Sequence, residues 1–577
     1  MDADLCPSQT SLEKDSPSQG TKHGHSSNHV EIPGTPSEAE ALRIIKEERW
    51  QVDAFIAEME DELHKTGRKS GIFDVTYKNP KHFVWMIVIF ASMGGMLFGL
   101  DQSLISGANL FLPKDLSLTA RQNSLVNSAM PLGAVGGAAL LSPANEYLGR
   151  RKAIILATIL YTVGAALEAG SINYGMIVAS RVILGLGVGI ETGTVPIYVA
   201  ETVERKLRGN LVSLYQFNIA LGEVLGYVVA AIFLKVPGNW RYMLGSSVVF
   251  SILMFLGMLF LPESPRFLMH NGRTLEAYDV WRRIRGVNDF DSKAEFFVMK
   301  ASVADTANEM AAKRTTRRFV WLDFFTVPRA RRAIVYGNLM ILLGQFVGIN
   351  GIMYYMATLM QQIGFDPAQS TYMSMVGGGA LFLGTIPAIL FMERCGRRFW
   401  AMTMLPGFFI GLVIVGCSYL VDIKSHPGTT EGLYITGLII YMAFYGPYAC
   451  LTWVIPSEIY PTYLRSYGMT VSDGMVFLGS FIITYNFEAM QVAMTKTGLS
   501  LGFFGGIAVL GWFYQLLFMP ELKNLTLEEV DMVFSKPTKQ LVDENIASSV
   551  RTTSHLLHFR FREAFSGFNQ SKAEPER

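Results

Sequence analysis

The chain has 577 residues, half of them hydrophobic and only 17% charged, with 49 Lys and Arg against 48 Asp and Glu for a formal net charge of +1. So little charge beside 54 glycines and 38 phenylalanines excludes an ordinary water-soluble domain and suits helices packed closely in lipid. The near-neutral balance gives no ground for a nucleic-acid or polyanionic partner.

In chain order, residues 1 to about 35 are rich in Ser, Pro, Gly and His and carry too few large apolar side chains to offset the entropy of ordering, so a disordered tail is expected. No apolar run with a small-residue cleavage site precedes the first long apolar segment, which is expected to serve as the insertion signal. Ser37 is placed to cap a helix running to about residue 65 through Leu42, Ile45, Trp50, Phe55 and Leu63, expected to lie on the cytosolic face. Apolar runs of roughly 20 residues, the length that crosses about 30 Å of hydrocarbon, then begin near Phe83, Ser124, Ala153, Met176, Leu211 and Met243. A second set begins near Ala333, Thr371, Trp400, Leu433, Met469 and Leu501. The predicted fold class is an all-α membrane protein of twelve transmembrane helices in two six-helix lobes. The expected division is a cytosolic N-terminal tail (1–80), an N-terminal lobe (81–265), a linker of short helices (266–332), a C-terminal lobe (333–522) and a cytosolic C-terminal tail (523–577).

Sidedness follows from the short loops. Arg150, Arg151, Lys152, Arg205, Lys206, Arg208, Arg394, Arg397 and Arg398 fall in one set of connections, against Lys114, Arg121, Lys235, Lys424 and Lys496 in the other. The positive-inside rule then makes both termini and the linker cytosolic. The basic stretches Trp281-Arg282-Arg283-Ile284-Arg285 and Lys313 to Arg318, and the tail segment His558-Phe559-Arg560-Phe561-Arg562, are read as topology determinants or contacts with a lipid surface, with no nucleic acid implied.

Punctuation is repeated between the halves. Gly149-Arg150-Arg151, Glu201 seven positions before Arg208, and Pro262-Glu263-Ser264-Pro265-Arg266 are answered by Gly396-Arg397-Arg398, Glu458 seven before Arg465, and Pro520-Glu521-Leu522-Lys523. The offsets are 247, 257 and 258 residues, which marks a head-to-tail duplication of a membrane unit of about six spans, the sequence form of a two-lobed transporter. Four cysteines (Cys6, Cys395, Cys417, Cys450) lack metal-ligand spacing, and no phosphate loop, metal cluster or catalytic triad is present, so no cofactor, metal or covalent chemistry is expected.

Taken in order, Phe98-Gly99-Leu100-Asp101, Gly149 to Arg151, the Arg181 to Gly189 run, Pro196 to Glu201, Arg208-Gly209, Trp240-Arg241, Pro262 to Arg266, Gln345 to Asn350 with Tyr354-Tyr355, Gly396 to Arg398, Pro456 to Pro461 and Pro520 to Lys523 resemble the sugar porter branch of the major facilitator superfamily over about residues 80 to 535. Length and tail composition look fungal. The resemblance implies alternating access around a midplane site.

Buried ionisable groups in spans are functional candidates on physical grounds, because charge at bilayer depth is costly unless paired or wetted. The reading singles out Asp101, Arg181, Glu191, Glu223 and Asp473. By resemblance, Asp101 matches the family's proton-coupling position and Arg181 its basic partner; the alternative is a static ion pair. Polyol recognition needs neutral donors and acceptors with aromatic surface. Gln216, Gln345, Asn350 and Trp453 match family sugar-contact positions, and Tyr354 with Tyr355 adds hydroxyls or a gate. Glu223, two helical turns after Gln216, departs from the amide or apolar residue usual there and is counted with the substrate site or as a second titrating group; Glu191 and Asp473 also stand where small or apolar residues are usual. Gly344, Ala380 and Val476-Phe477 replace polar family residues, which makes that half of the site more apolar and puts glucose in doubt. Arg150, Arg151, Glu201 and Arg208, and Arg397, Arg398, Glu458 and Arg465, are expected to form ion pairs at span ends that gate access, although Asn145-Glu146 replaces the usual acid-then-base before the first Gly-Arg-Arg.

The expected function is transport of a sugar or polyol by alternating access with proton symport, in a multi-pass plasma-membrane protein. Two alternatives stay open: a carrier of the same fold for a hydroxylated acid, glycoside or secondary metabolite, and a non-transporting nutrient sensor.

Overall fold

A computed structural model of the chain describes residues 38–66, 80–203, 208–315, 320–523, 525 and 527–557. The expected tail up to Ser37, Arg205, Lys206, part of the basic stretch ending at Arg318, and the segment His558 to Arg562 lie outside them.

Among the described residues the structure is all-helical. Two helices precede the membrane region, α1 (Glu38–Glu47) and α2 (Arg49–Thr66). The first lobe contains α3 (Pro80–Ala108), α4 (Leu112–Asp115), α5 (Ala120–Tyr147), α6 (Arg150–Ala169), α7 (Tyr174–Thr202), α8 (Arg208–Phe233), α9 (Asn239–Gly245) and α10 (Ser247–Leu259). The linker folds as α11 (Pro265–His270), α12 (Thr274–Arg285), α13 (Phe290–Thr315) and α14 (Asp323–Thr326). The second lobe holds α15 (Pro328–Phe346), α16 (Ile349–Tyr354), α17 (Met356–Gln362), α18 (Pro367–Cys395), α19 (Arg397–Ser418), α20 (Pro427–Ile459), α21 (Arg465–Met494) and α22 (Gly505–Phe518), the last entered through a π-helical stretch at Gly498–Phe504. The helices α23 (Leu527–Ser535) and α24 (Thr538–Leu557) follow. Among the described residues, twelve helical segments are long and apolar enough to cross a membrane, starting between zero and six residues before the positions read from hydropathy.

Local chemistry explains the boundaries. Thr119 with Gln122, and Asp366 with Gln369, form reciprocal capping boxes at the starts of α5 and α18, one in each lobe. Gly149 (φ 85°) and Gly396 (φ 93°) enter α6 and α19 in backbone conformations that disfavour a side chain, and a Cβ there would lie 2.7 Å from Glu263 Oε2 or 2.5 Å from Glu521 Oε2. The glycine of each Gly-Arg-Arg therefore makes room for a carboxylate on the helix N-terminus. The lobes meet chiefly through α5 with α21 and α8 with α18.

The helix expected from Ser37 is two helices with a break at Glu48. Its inward face is centred on Ala41, Val52, Ile56 and Met59; of the stripe read from sequence, Ile45, Phe55 and Leu63 pack against this core, whereas Trp50 and Leu42 are exposed. Ala41 and Val52 pack with Phe297 and Ala301 of α13, and Asp53 pairs with Lys293 at 2.7 Å, so the linker supplies the surface this segment covers. The C-terminal helices also dock: Val530 and Phe534 are buried, and Asn545 Nδ2 donates to Leu517 O at 2.8 Å.

Candidate functional site

The seventh span does not run through. It breaks at Val347 and Gly348 (φ 93°), with the Phe504 ring 2.5 Å from where a Cβ on Gly348 would lie. Carbonyls released by the break must be satisfied inside the protein, since lipid offers no donor. Tyr441 Oη donates to Val347 O at 3.2 Å and Tyr445 Oη to Gly344 O at 3.3 Å. Gly344, where an amide was expected by resemblance, is backed by the Tyr448 ring, 3.0 Å from its would-be Cβ. Aromatic hydroxyls thus fill the space of the lost amide.

The break brings Gln345 and Asn350 together: Asn350 Nδ2 donates to Gln345 Oε1 at 2.5 Å. Gln102 of α3, absent from the sequence reading, donates to Asn350 Oδ1 at 3.0 Å and carries the chain of amides across the lobe boundary. A second bridge lies nearby in the bundle, where Trp453 Nε1 donates to Gln216 Oε1 at 2.8 Å and Tyr215 meets the Trp453 ring edge-on, centroids 5.3 Å apart. Ser106 Oγ accepts from Ala357 N at 3.1 Å, and Phe98 packs on Phe477 across the same boundary at 5.6 Å. Gln216, Gln345, Asn350 and Trp453 are all at most 6% exposed. Tyr354 is buried with its hydroxyl 3.9 Å from Met130 Sδ, within electrostatic reach of Asp101, Arg181 and Glu223. Tyr355 Oη reaches Thr484 O at 3.5 Å.

Next in sequence to Gln102, Asp101 accepts two hydrogen bonds from Arg181, at 2.9 Å to Oδ2 and 3.2 Å to Oδ1. The structure adds a partner that span-by-span reading missed: Glu168, near the end of α6, accepts from the same Arg181 Nη1 at 2.6 Å. Glu168 closes the run Gly164-Ala165-Ala166-Leu167-Glu168, and an acid in an apolar segment is the signal that could have found it. Glu191 and Asp473 are buried, and none of their four carboxyl oxygens has a hydrogen-bond partner among the described residues; the same holds for Oε2 of Glu223. Glu191 occupies the notch of Gly94, its Oε1 1.0 Å from the position of a Cβ there.

At the basic end, Arg150 Nη2 lies 2.8 Å from Glu201 Oε1, and Ser264 Oγ donates to the other oxygen at 2.5 Å. Arg397 holds Glu458 at 2.7 Å and also Glu393 at 2.7 Å. Arg151 and Arg398 are not brought to these acids. Arg151 donates to the Met258 and Leu259 carbonyls at the end of α10, and Arg398 to Leu516 O, Met519 O and the α24 residues Asn545 and Ser549. They cap helix C-termini, where orphan carbonyls and the macrodipole favour a cation. Glu263 accepts from the backbone N–H groups of Arg150, Arg151 and Ser264, and Glu521 from those of Arg397, Arg398, Leu522 and Lys523. Burial pushes both carboxyls above the ordinary glutamate range, against the pull of these donors. Arg465 lines a cavity of about 180 Å³ with Ser142, Asn145, Arg150 and Glu201. The Arg208 side chain lies outside the described residues. The Asn145 carbonyl accepts from Arg150 Nη1 at 3.3 Å.

Two duplicated six-span lobes, a discontinuous span carrying a chain of amides, and a buried acid–arginine pair beside that chain define a secondary transporter whose site lies between its lobes. The chain belongs to the family described as Sugar (and other) transporter, whose model matches residues 87–534. It is a multi-pass transporter of the sugar and polyol class that works by alternating access. It is similar to the myo-inositol transporter FST1 of Gibberella moniliformis, 68% identical over 522 residues that cover 90% of this chain and 91% of the relative. It is also similar to the proton myo-inositol cotransporter of Homo sapiens, 29% identical with 78% and 82% of the two chains covered. Among solved structures, the proton:xylose symporter XylE bound to 6-bromo-6-deoxy-D-glucose matches with TM-score 0.68 at 26% identity, covering 79% of this chain and 100% of that one. The inward open conformation of XylE from E. coli matches with TM-score 0.59 at 25% identity, covering 78% and 99%.

Proposed function

We propose that this protein carries myo-inositol, or a cyclitol of the same hydroxyl pattern, into the cell together with a proton. The observation that carries the reading is the adjacency of Asp101 and Gln102: one acid pairs with Arg181, and the next residue bonds Asn350 of the opposite lobe. Protonation of Asp101 and occupation of the amide chain then act on neighbouring residues of one helix. A polyhydroxylated ring entering the site exchanges the Asn350–Gln345 and Trp453–Gln216 bonds for bonds to its own hydroxyls, so the desolvation cost of opening the site is offset by partners of the same chemistry. The names of the relatives support inositol and proton coupling.

The proposed role of Asp101 is to take and release the coupling proton, with Arg181 as its counter-charge. Gln216, Gln345, Asn350, Trp453 and Tyr354 bind substrate, and Glu223 lines the same region. Arg150 with Glu201, and Arg397 with Glu458, latch the basic end, and Arg465 belongs to that gate. The proposal includes a plasma-membrane location, cytosolic termini and linker, contact of the basic segments with lipid, and no enzymatic step. The test is uptake of labelled myo-inositol by cells lacking their own inositol carrier, at two external pH values. Accumulation that increases at acid pH is expected; equilibration independent of pH removes the proton, and no flux with normal surface expression removes transport.

A further inference from the structure

We infer that Glu168 is the third member of the coupling site, a positioning residue that holds the Arg181 guanidinium when Asp101 carries the proton. The inference rests on the proton-coupled reading above.

Geometry comes first. Arg181 Nη1 is shared, 2.6 Å from Glu168 Oε1 and 3.2 Å from Asp101 Oδ1, while Nη2 serves Asp101 Oδ2 at 2.9 Å. All three side chains are at most 2% exposed. One guanidinium therefore faces two carboxyls in a dry interior. With both carboxyls ionised the trio carries net negative charge, which is strongly disfavoured at bilayer depth; with one proton between them it is neutral.

The two carboxyls are mounted differently. Asp101 lies seven residues before the end of α3, beside Gln102, which bonds the other lobe, so it sits at the surface that moves when the lobes rock. Glu168 lies at the rear, one residue from the end of α6, and that end is held by Arg241, whose Nη1 donates to Ala169 O at 3.2 Å and Ser171 O at 2.5 Å. Glu168 is a fixed anchor and Asp101 the exchangeable partner. When Asp101 is protonated, Arg181 keeps a full counter-charge in Glu168 and does not have to be left bare. When Asp101 loses its proton, the two acids compete for one cation, and that competition favours taking a proton back.

The other charged or titratable groups around the trio do not alter this count. Tyr161 of α6 donates its hydroxyl to Leu97 O at 3.0 Å, Tyr354 of α16 faces the pair from the second lobe, and α10 brings no ionisable side chain. In α9, Arg241 is engaged with the end of α6, and Trp240 Nε1 donates to Asp115 at 2.8 Å. Glu191 lies further along α7, in the Gly94 notch, and Glu223 of α8, whose backbone lies against Gly99 of α3, makes no hydrogen bond or ion pair with the trio among the described residues.

Replacing Glu168 by a neutral residue leaves Asp101 and Arg181 as a pair that is already neutral without a proton, so acid on the outside has less to drive. The experiment uses the full-length chain in the labelled myo-inositol assay, comparing wild type, E168Q, E168D and D101N for surface level, substrate exchange and uptake against external pH. E168Q is expected to keep exchange, to move half-maximal uptake about one pH unit toward acid, and to lower accumulation at neutral pH about tenfold, since one pH unit is a factor of ten in proton activity. E168D, which keeps the charge, is expected to restore most of the profile. A wild-type pH profile in E168Q overturns the inference, as does equal loss of exchange in E168Q and E168D at normal surface level, which marks a purely structural role. Should E168Q fail to reach the surface, a small acid shift in E168D supports the inference and an unshifted profile overturns it. D101N separates the two levels: accumulation that persists in D101N sinks proton coupling at Asp101 itself, whereas lost accumulation in D101N with an unchanged E168Q sinks only the role of Glu168.

Discussion

The two lobes descend from one plan but keep different chemistry inside the bundle. The first buries Asp101, Glu168, Arg181, Glu191 and Glu223 in unbroken helices, while the second, with Asp473 as its buried acid in α21, breaks its leading span and surrounds the break with Gln345, Asn350 and the rings of Tyr441, Tyr445 and Tyr448. Charge needs rigid surroundings that fix its partner, and polyol recognition needs neutral groups on a segment that bends. Their basic ends differ in the opposite sense: Arg150 has one acid and a serine behind that acid, whereas Arg397 holds two acids and its neighbour Arg398 is bound by α24. The second lobe is the more heavily fastened of the two.

Four measurements break or sharpen this contrast. The largest effect is expected from D101N, which should reduce proton-driven accumulation to simple equilibration while exchange continues; accumulation at wild-type level would show that the charged lobe does not carry the coupling. Next, R397A should lower thermal stability in detergent more than R150A, because it strands Glu393 and Glu458 together. Removing one member of a buried pair typically costs about 3–5 kcal/mol, and equal losses would mean the lobes are fastened alike. Within the binding region, N350A should weaken substrate binding more than Q216A, since Asn350 supports both Gln345 and Gln102. A lost buried hydrogen bond is worth about 1–3 kcal/mol, so KM for the better-retained Q216A should rise several-fold, and the reverse order would shift the weight of recognition to Gln216 and Trp453. The smallest contrast lies in two glycines. G94A puts a Cβ onto Glu191 Oε1 and should lower expression, whereas Gly379 of α18 has open space around it and G379A should be neutral or stabilising by up to about 1 kcal/mol. Equal tolerance would mean the Gly94 notch is not occupied by Glu191 in the cell.

Much of this architecture was legible before any coordinates. Apolar length alone marks twelve crossings, because a helix must cover the hydrocarbon whatever its neighbours are, and the repeated Gly-Arg-Arg and Glu-x6-Arg signatures reveal the duplication. Asp101 with Arg181 was nameable as a pair from the family resemblance, and Glu201 was nameable only as an acid among Arg150, Arg151 and Arg208, without its particular partner. Other features resisted. Glu168 was not singled out because it stands at the very end of its span, the role of Glu263 and Glu521 as caps on α6 and α19 depends on two segments more than a hundred residues apart, and Arg151 and Arg398 carry the same charge as their neighbours yet serve carbonyls instead of acids. The inner faces of α1 and α2 depended on the linker helix they cover, so Trp50 stayed outside and Val52 went in.

The amino-acid sequence by itself determined that this protein is a duplicated bundle of membrane-crossing helices with a few costly charges inside, since length, hydropathy and charge act locally and need no partner to be read. Only the tertiary structure decided which charges meet, where the seventh span breaks and whose hydroxyls cover the break. Those outcomes depend on distances of about 3 Å between residues far apart in the chain, the range over which a hydrogen bond exists at all.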